Sequence, residues 1–184
     1  MARETRSCGG CTICCQVLPI DTLELYKQPG IACTHCGPSG CTIYETRFPI
    51  CRSYFCGWHH LETLGPEWRP DRSGVLISPR QGDVPPGYTQ EGIELLVFGG
   101  EKAVRRKGFS AQIAQLMAKG IPVHFAVPGP PGHFSAHVFL NDMLQERVSR
   151  GDRDGITAAL IHLLEAAKSH KFEPMPPQSE RSER

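Results

Sequence analysis

CGGCTICC, residues 8–15, places four thiols in eight positions, two of them adjacent as Cys14 and Cys15. With Cys33, Cys36, Cys41, Cys51 and Cys56 they make nine, and no cysteine follows Cys56 in the 184-residue chain. A C-x-x-C turn lets two sulfurs face a common centre, so it is the spacing at which two thiolates reach one ion. It recurs here as Cys8/Cys11, Cys11/Cys14 and Cys33/Cys36. Free cysteine is often a small buried hydrophobe, but that use does not explain nine of them in one loop-rich segment. Nine is also odd, which leaves one cysteine unpaired in a fully oxidised monomer. MARETRSCGG has charges and glycines where a secretory leader has its apolar core. The expectation is therefore a cytoplasmic chain, whose thiols stay reduced and serve metal or redox chemistry.

The adjacent pair narrows the chemistry. Neighbouring side chains diverge in most backbone conformations, so Cys14 and Cys15 serve either two centres or different atoms of one cluster. Two zinc ions, each held by four thiolates, would use eight of the nine cysteines. A single cubane iron-sulfur cluster would use four. The C-x-x-C-x-x-C run is that of a ferredoxin, but here a cysteine follows at once and no Cys-Pro closes the run. His35, His59 and His60 lie within or beside the cluster and are candidate nitrogen ligands, His35 foremost because it sits inside Cys33-Thr-His-Cys36. The scattered His124, His133, His137, His162 and His170 are expected to have no such role.

Working outward, residues 1–73 read as a cysteine-rich metal-binding module of short turns, with KQPG at 27–30 and CGPSGC at 36–41. Such a segment has little apolar surface to set against roughly 1–2 kcal/mol of backbone entropy per residue. A structural zinc contributes an apparent 10–16 kcal/mol or so, which makes metal-coupled folding a solution. Residues 74–172 read as a small α/β scaffold. GVLIS and GIELLVF are predicted strands, and IPVHFAV is a half-buried one with Val123, Phe125 and Val127 inward and His124 and Ala126 outward. Phe109, Ile113, Leu116 and Met117 recur at helical spacing, with Ser110 as a start and Gly120 as a stop. A last helix carries Ile156, Ala159, Leu160, Leu163, Leu164 and Ala167 on one stripe, capped by Asp152 or Asp154 and followed by His170 and Lys171. VPGPPGHF is a rigid exposed loop, and residues 173–184 are a disordered polar tail. The predicted fold class is α+β: a loop-rich cysteine/metal knot, then a small mixed sheet with two or three helices.

CGGCTICC followed by CTHCGPSGCTIYETRFPICRSYFCGW resembles the CxxCxxCC family, cysteine-cluster proteins described as zinc- or iron-chelating. The resemblance covers residues 8 to about 58 and extends towards WRPDRSGV at 68–75. It implies metal ligation by Cys8, Cys11, Cys14, Cys15, Cys33, Cys41, Cys51 and Cys56, with Cys36 matching a subset that carries a C-x-H-C pair. Family members commonly have Arg-Pro where this chain has Arg47-Phe48, with Pro49 one place later, so the turn before Cys51 differs. A more distant relative, the flagellin lysine methylase, shares a cysteine-cluster module.

A zinc ion held by four thiolates is formally dianionic, so Arg47 and Arg52 are expected to bond to or neutralise its sulfurs, with Glu45 orienting one of them. Tyr44, Phe48, Tyr54, Phe55 and Trp58 are expected to form a small apolar core beside the site. A closed thiolate site has no open position for substrate, which favours a structural or metal-handling role and leaves the surface to a protein partner. The alternative is an iron-sulfur protein, an electron carrier or redox enzyme. Thiol-disulfide exchange through Cys33 and Cys36 needs a helix beginning at the pair, and Gly37-Pro38 opposes one. A net charge of +1 gives no field for nucleic acid, and no stretch approaches the roughly 18 apolar residues of a membrane span. FGGEKAVRRKG lacks the P-loop spacing, and its Lys102, Arg105, Arg106 and Lys107 read as a solvated face.

Overall fold

The computed structural model describes residues 6–178. Residues 1–5, part of the leader reading, and 179–184, the end of the expected tail, lie outside the described residues. The fold is α+β. The cysteine-rich segment is assembled from short pieces: α1 (Ile13–Val17), β1 (Ile20–Asp21), β2 (Tyr26–Lys27), β3 (Cys36–Gly37), β4 (Gly40–Cys41), α2 (Pro49–Ser53), α3 (Gly57–His60) and α4 (Pro70–Ser73). Beyond it come β5 (Val75–Gln81), β6 (Glu91–Val97), α5 (Gly100–Val104), α6 (Phe109–Ala118), β7 (Val123–Val127), β8 (Ala136–Phe139), α7 (Leu140–Ser149) and α8 (Arg153–Ala167). Four helices thus stand where two or three are predicted. The additional ones are short or mostly polar: α5 buries only Ala103 and Val104, and α7 only Leu140, Asn141 and Leu144.

The sheet runs β5-β6-β7-β8. Hairpin pairs β5–β6 and β7–β8 are antiparallel, whereas β6 and β7 are parallel. A parallel pair needs a long crossover, which α5 and α6 supply. On one face Val75, Ile77, Leu95, Val97, Val123 and Phe125 pack against Phe109, Ile113, Leu116, Leu140, Leu144, Ile156 and Leu160 of the helices. Trp58 and Leu64 of the cysteine-rich segment join this same core. Asn141 fixes α7 to the start of β7, because its Oδ1 accepts from Val123 N at 2.8 Å and its Nδ2 donates to Ile121 O at 2.9 Å. Asp152 is the cap of α8, accepting from Gly155 N at 2.8 Å. Gly108, at φ +88°, precedes α6, so the helix begins at Phe109, and Gly120 closes it as expected.

The opposite sheet face corrects the half-buried reading of β7. Ala126 is fully buried with Leu76 and Leu96 beneath Ile13, Val17, Leu18 and Cys56. His124 is only 3% exposed, under the ring of Phe139 at 5.2 Å. Both outward positions are therefore covered, one of them by the cysteine-rich segment. On the helix-packed face the cysteine-rich segment also comes close, since a Cβ on Gly57 would stand 2.5 Å from Ile77 Cγ2. Arg106 also departs from the solvated face assigned to its segment. It is half-buried and donates to Arg72 O at 2.6 Å and Glu67 O at 2.9 Å, while Lys102, Arg105 and Lys107 are exposed.

The first residues of the expected tail are ordered contacts. Phe134 N donates to Glu173 O and Met175 N to Gly132 O, at 2.9 and 2.8 Å, and Met175 is buried. Tyr26 Oη donates to Pro176 O at 2.6 Å. A disordered tail from residue 173 is thus corrected for 173–176, because apolar Met175 finds cover against the 127–134 loop. Among the described residues no helix is long and apolar enough to cross a membrane.

Candidate metal centre

Each short piece of the N-terminal segment presents a thiol. In both outer C-x-x-C turns the second cysteine's N–H donates to the first one's carbonyl at 2.9 Å, Cys11 to Cys8 and Cys36 to Cys33. Helix α1 carries Cys14 and Cys15, and Cys33 N donates to Cys15 O at 2.9 Å, so the second turn is sewn to the first helix. Cys41 is held on β4 opposite Cys36, Cys51 lies on α2, and Cys56 is the N-cap of α3. All nine are free thiols.

Eight of them, Cys8, Cys11, Cys14, Cys15, Cys33, Cys41, Cys51 and Cys56, line a single cavity of about 440 Å³. Cys36 does not. The rest of the wall is largely apolar, including Val17, Leu18, Ile43, Leu76 and Leu96. Tyr44, Phe48, Tyr54 and Phe55 also face the cavity, but the predicted aromatic core forms only in part: Trp58 is buried, whereas Tyr44 and Phe55 are exposed. The Tyr54 hydroxyl is tied to Ser78 Oγ at 2.8 Å.

Burial raises the thiols of Cys8, Cys11, Cys51 and Cys56 above their ordinary range, which disfavours bare thiolates in the apolar wall. Main-chain N–H groups oppose this at Cys11, from Ile13 and Asp71, and at Cys56, from Trp58 and His59. The adjacent pair behaves as one unit. Cys14 donates its proton towards Cys15, which lowers Cys15 to about 6 with help from Lys27 and Arg47 against the cost of burial, and pushes Cys14 up. Both face the same cavity.

Of the predicted histidines, His59 is the one bonded to sulfur, with Nε2 at 3.3 Å from Cys8 Sγ. Burial lowers its pKa, keeping it neutral. His35 lines the cavity against Phe48, and His60 is exposed. Arg47 stacks over Tyr44 at 3.7 Å and its charge favours the thiolates of Cys8, Cys15 and Cys51, as a neutralising arginine should. Arg52 and Glu45 are exposed. The turn from Cys33 leads into β3, so no helix begins at the Cys33/Cys36 pair.

Sequence reasoning missed Lys27. The residue is 4% exposed, and its ammonium donates to Leu18 O, to Gln28 O at 3.2 Å and to Gln16 O at 3.4 Å. Burial lowers its pKa, while nearby Cys33, Cys15, Cys14 and Cys36 sustain its charge. A lysine after a tyrosine in a two-residue strand carries no periodic signal. Glu94 and His137 were missed as well. They meet on the cavity floor with Nδ1 and Oε2 3.1 Å apart.

Among the described residues no three His, Cys, Asp or Glu side chains converge on one ion-sized point. The sulfurs are distributed around the cavity. Compared with known proteins, the chain matches no family model, no curated protein and no solved structure.

Proposed function

We propose that this chain binds a transition metal, zinc or iron, through its cysteine cluster, in a structural or metal-handling role. The observation that carries the reading is the convergence of eight free thiols, drawn from separate segments between Cys8 and Cys56, on one cavity. Soft thiolates select zinc and iron-sulfur centres. Cys8, Cys11, Cys14, Cys15, Cys33, Cys41, Cys51 and Cys56 are the ligand set, and His59 stands beside Cys8. Cys36 lies off the cavity wall and holds the β3–β4 hairpin. Lys27 and Arg47 bring two positive charges towards sulfurs that become anionic on binding, which offsets the desolvation cost of burying a lysine there. The resemblance to the CxxCxxCC proteins agrees with this ligand set.

A second reading, an iron-sulfur protein acting as electron carrier or redox enzyme, is favoured by the spread of the sulfurs. A polynuclear cluster offers several metal atoms to ligands around a wide cavity, and it suits two adjacent cysteines. When bound, such a cluster would supply one-electron chemistry in an apolar surrounding. Purification without oxygen separates the two readings: a brown protein with broad visible absorption is expected for the cluster, a colourless one with stoichiometric zinc for the chelate. Cys14→Ser and Cys15→Ser should each lower metal content. Unchanged content in both would contradict the ligand set.

A further inference from the structure

A second cavity, of about 480 Å³, opens beside the thiol cavity, and the two share Phe134, Ser135 and His137. Arg80 of β5 and His124 of β7 line it from the sheet, and His170, Lys171 and Glu173 line it from the docked C-terminal segment. Among the described residues two buried side-chain nitrogens have no hydrogen-bond partner, Arg80 Nε and His124 Nε2. Both belong to residues lining this one cavity. Arg80 Nε is always a donor and His124 Nε2 is one in its Nε2–H tautomer; an unsatisfied buried donor is costly, so the two together mark a place for an acceptor that the chain itself does not provide.

The state of Arg80 identifies the acceptor. Its Nη1 donates to Glu94 Oε2 and its Nη2 to Asp83 Oδ2, each at 2.7 Å. Asp83 is the sole non-glycine residue at positive φ among the described residues, at +54°, and its side chain is 77% exposed. A solvent-exposed carboxylate on a left-handed backbone thus occupies one half of the Nε/Nη2 edge and leaves the other half empty-handed. That edge carries two parallel N–H groups, the match for both oxygens of a planar carboxylate.

We propose that this cavity binds a small carboxylate, which displaces Asp83, takes Arg80 Nε and Nη2 together, and reaches His124 Nε2 with a small turn of the imidazole. Asp83 holds the place in the free protein. The remaining charges permit this: Glu94 is already matched by Arg80 and His137, Lys171 adds a positive charge at the rim, and Glu173 is exposed to solvent.

The test is an acetate titration of the full chain at constant ionic strength with chloride as the balancing anion, read from the His124 imidazole resonances. Saturable shifts are expected, and Asp83→Asn, which tolerates the same left-handed backbone, should tighten acetate roughly tenfold by removing the competitor, the factor that corresponds to about 1.4 kcal/mol. Arg80→Lys keeps the charge without the fork and should abolish saturation. Shifts that chloride reproduces, or an Asp83→Asn protein that binds acetate no more tightly, would overturn the proposal. Should Arg80→Lys fail to fold, the exposed Asp83→Asn variant decides alone. Metal content does not enter this readout, so its failure and that of the thiol reading are distinct results.

Discussion

Gly57→Ala tests whether the cysteine-rich segment is positioned by the sheet. The new Cβ would lie 2.5 Å from Ile77 Cγ2 and 2.8 Å from Ile77 Cβ, and Ile77 is fixed in the centre of the main core. Carbon atoms prefer about 3.5–4.0 Å, so α3 must withdraw by about 1 Å. Overpacking of this kind costs about 1–3 kcal/mol. The better helix propensity of alanine returns up to about 1 kcal/mol, leaving a net loss of about 1–2 kcal/mol. For a chain of this size that lowers the melting temperature by about 2–8 °C. The withdrawal also carries Cys56 and His59, which flank Gly57, and opens the 3.3 Å contact between His59 and Cys8. Thermal unfolding of the metal-free protein is the assay, with Gly10→Ala as the control because a Cβ there meets nothing within 4 Å. Metal uptake should fall in Gly57→Ala and hold in the control. A Gly57→Ala protein that melts with the control would refute the packing argument.

Asn141→Ala leaves Val123 N–H and Ile121 C=O without their partners and should cost about 2–4 kcal/mol, seen as a lower urea midpoint; a loss below about 1 kcal/mol would show that water replaces the amide freely. In metal-free protein, alkylation of Cys15 should rise with pH through an inflection near its value of about 6, well below the ordinary thiol value of 9.0. Cys14→Ala removes the donor that depresses it, and Lys27→Met removes a supporting charge, so both should move the inflection upward. The linked stability has a definite sign. Because the folded pair keeps one proton on Cys14 and releases the other near 6, it adds stability as pH rises from about 6 towards 9.0, then loses it above that, where the unfolded chain ionises both. A metal-free midpoint that does not change over that window would contradict the shared proton.

Much of this was legible in the sequence because it rests on local rules. The strands around Leu76 and Leu95 and the stripe of α8 follow from periodicity, and capping rules narrow the helix start to Asp152 or Asp154, of which the fold uses Asp152. The spacing singles out all nine cysteines alike, Cys36 included, whereas the fold lines the cavity with eight of them. What was not legible depends on long-range cover. Period two correctly splits Val123 and Phe125 from His124 and Ala126, but it cannot say that α1 and Phe139 bury the second pair. Lys27 reads as a surface residue until the carbonyls of Gln16, Leu18 and Gln28 surround it. Met175 is one apolar residue in a polar stretch, too little to indicate docking.

Metal K-edge X-ray absorption on protein purified without chelator measures the ligand atoms themselves. The account predicts a bound metal, zinc or iron, whose nearest shell is dominated by sulfur at about 2.3 Å, the distance of a zinc–thiolate bond. A folded protein with no bound metal, or one whose metal is surrounded by oxygen and nitrogen alone, would contradict it.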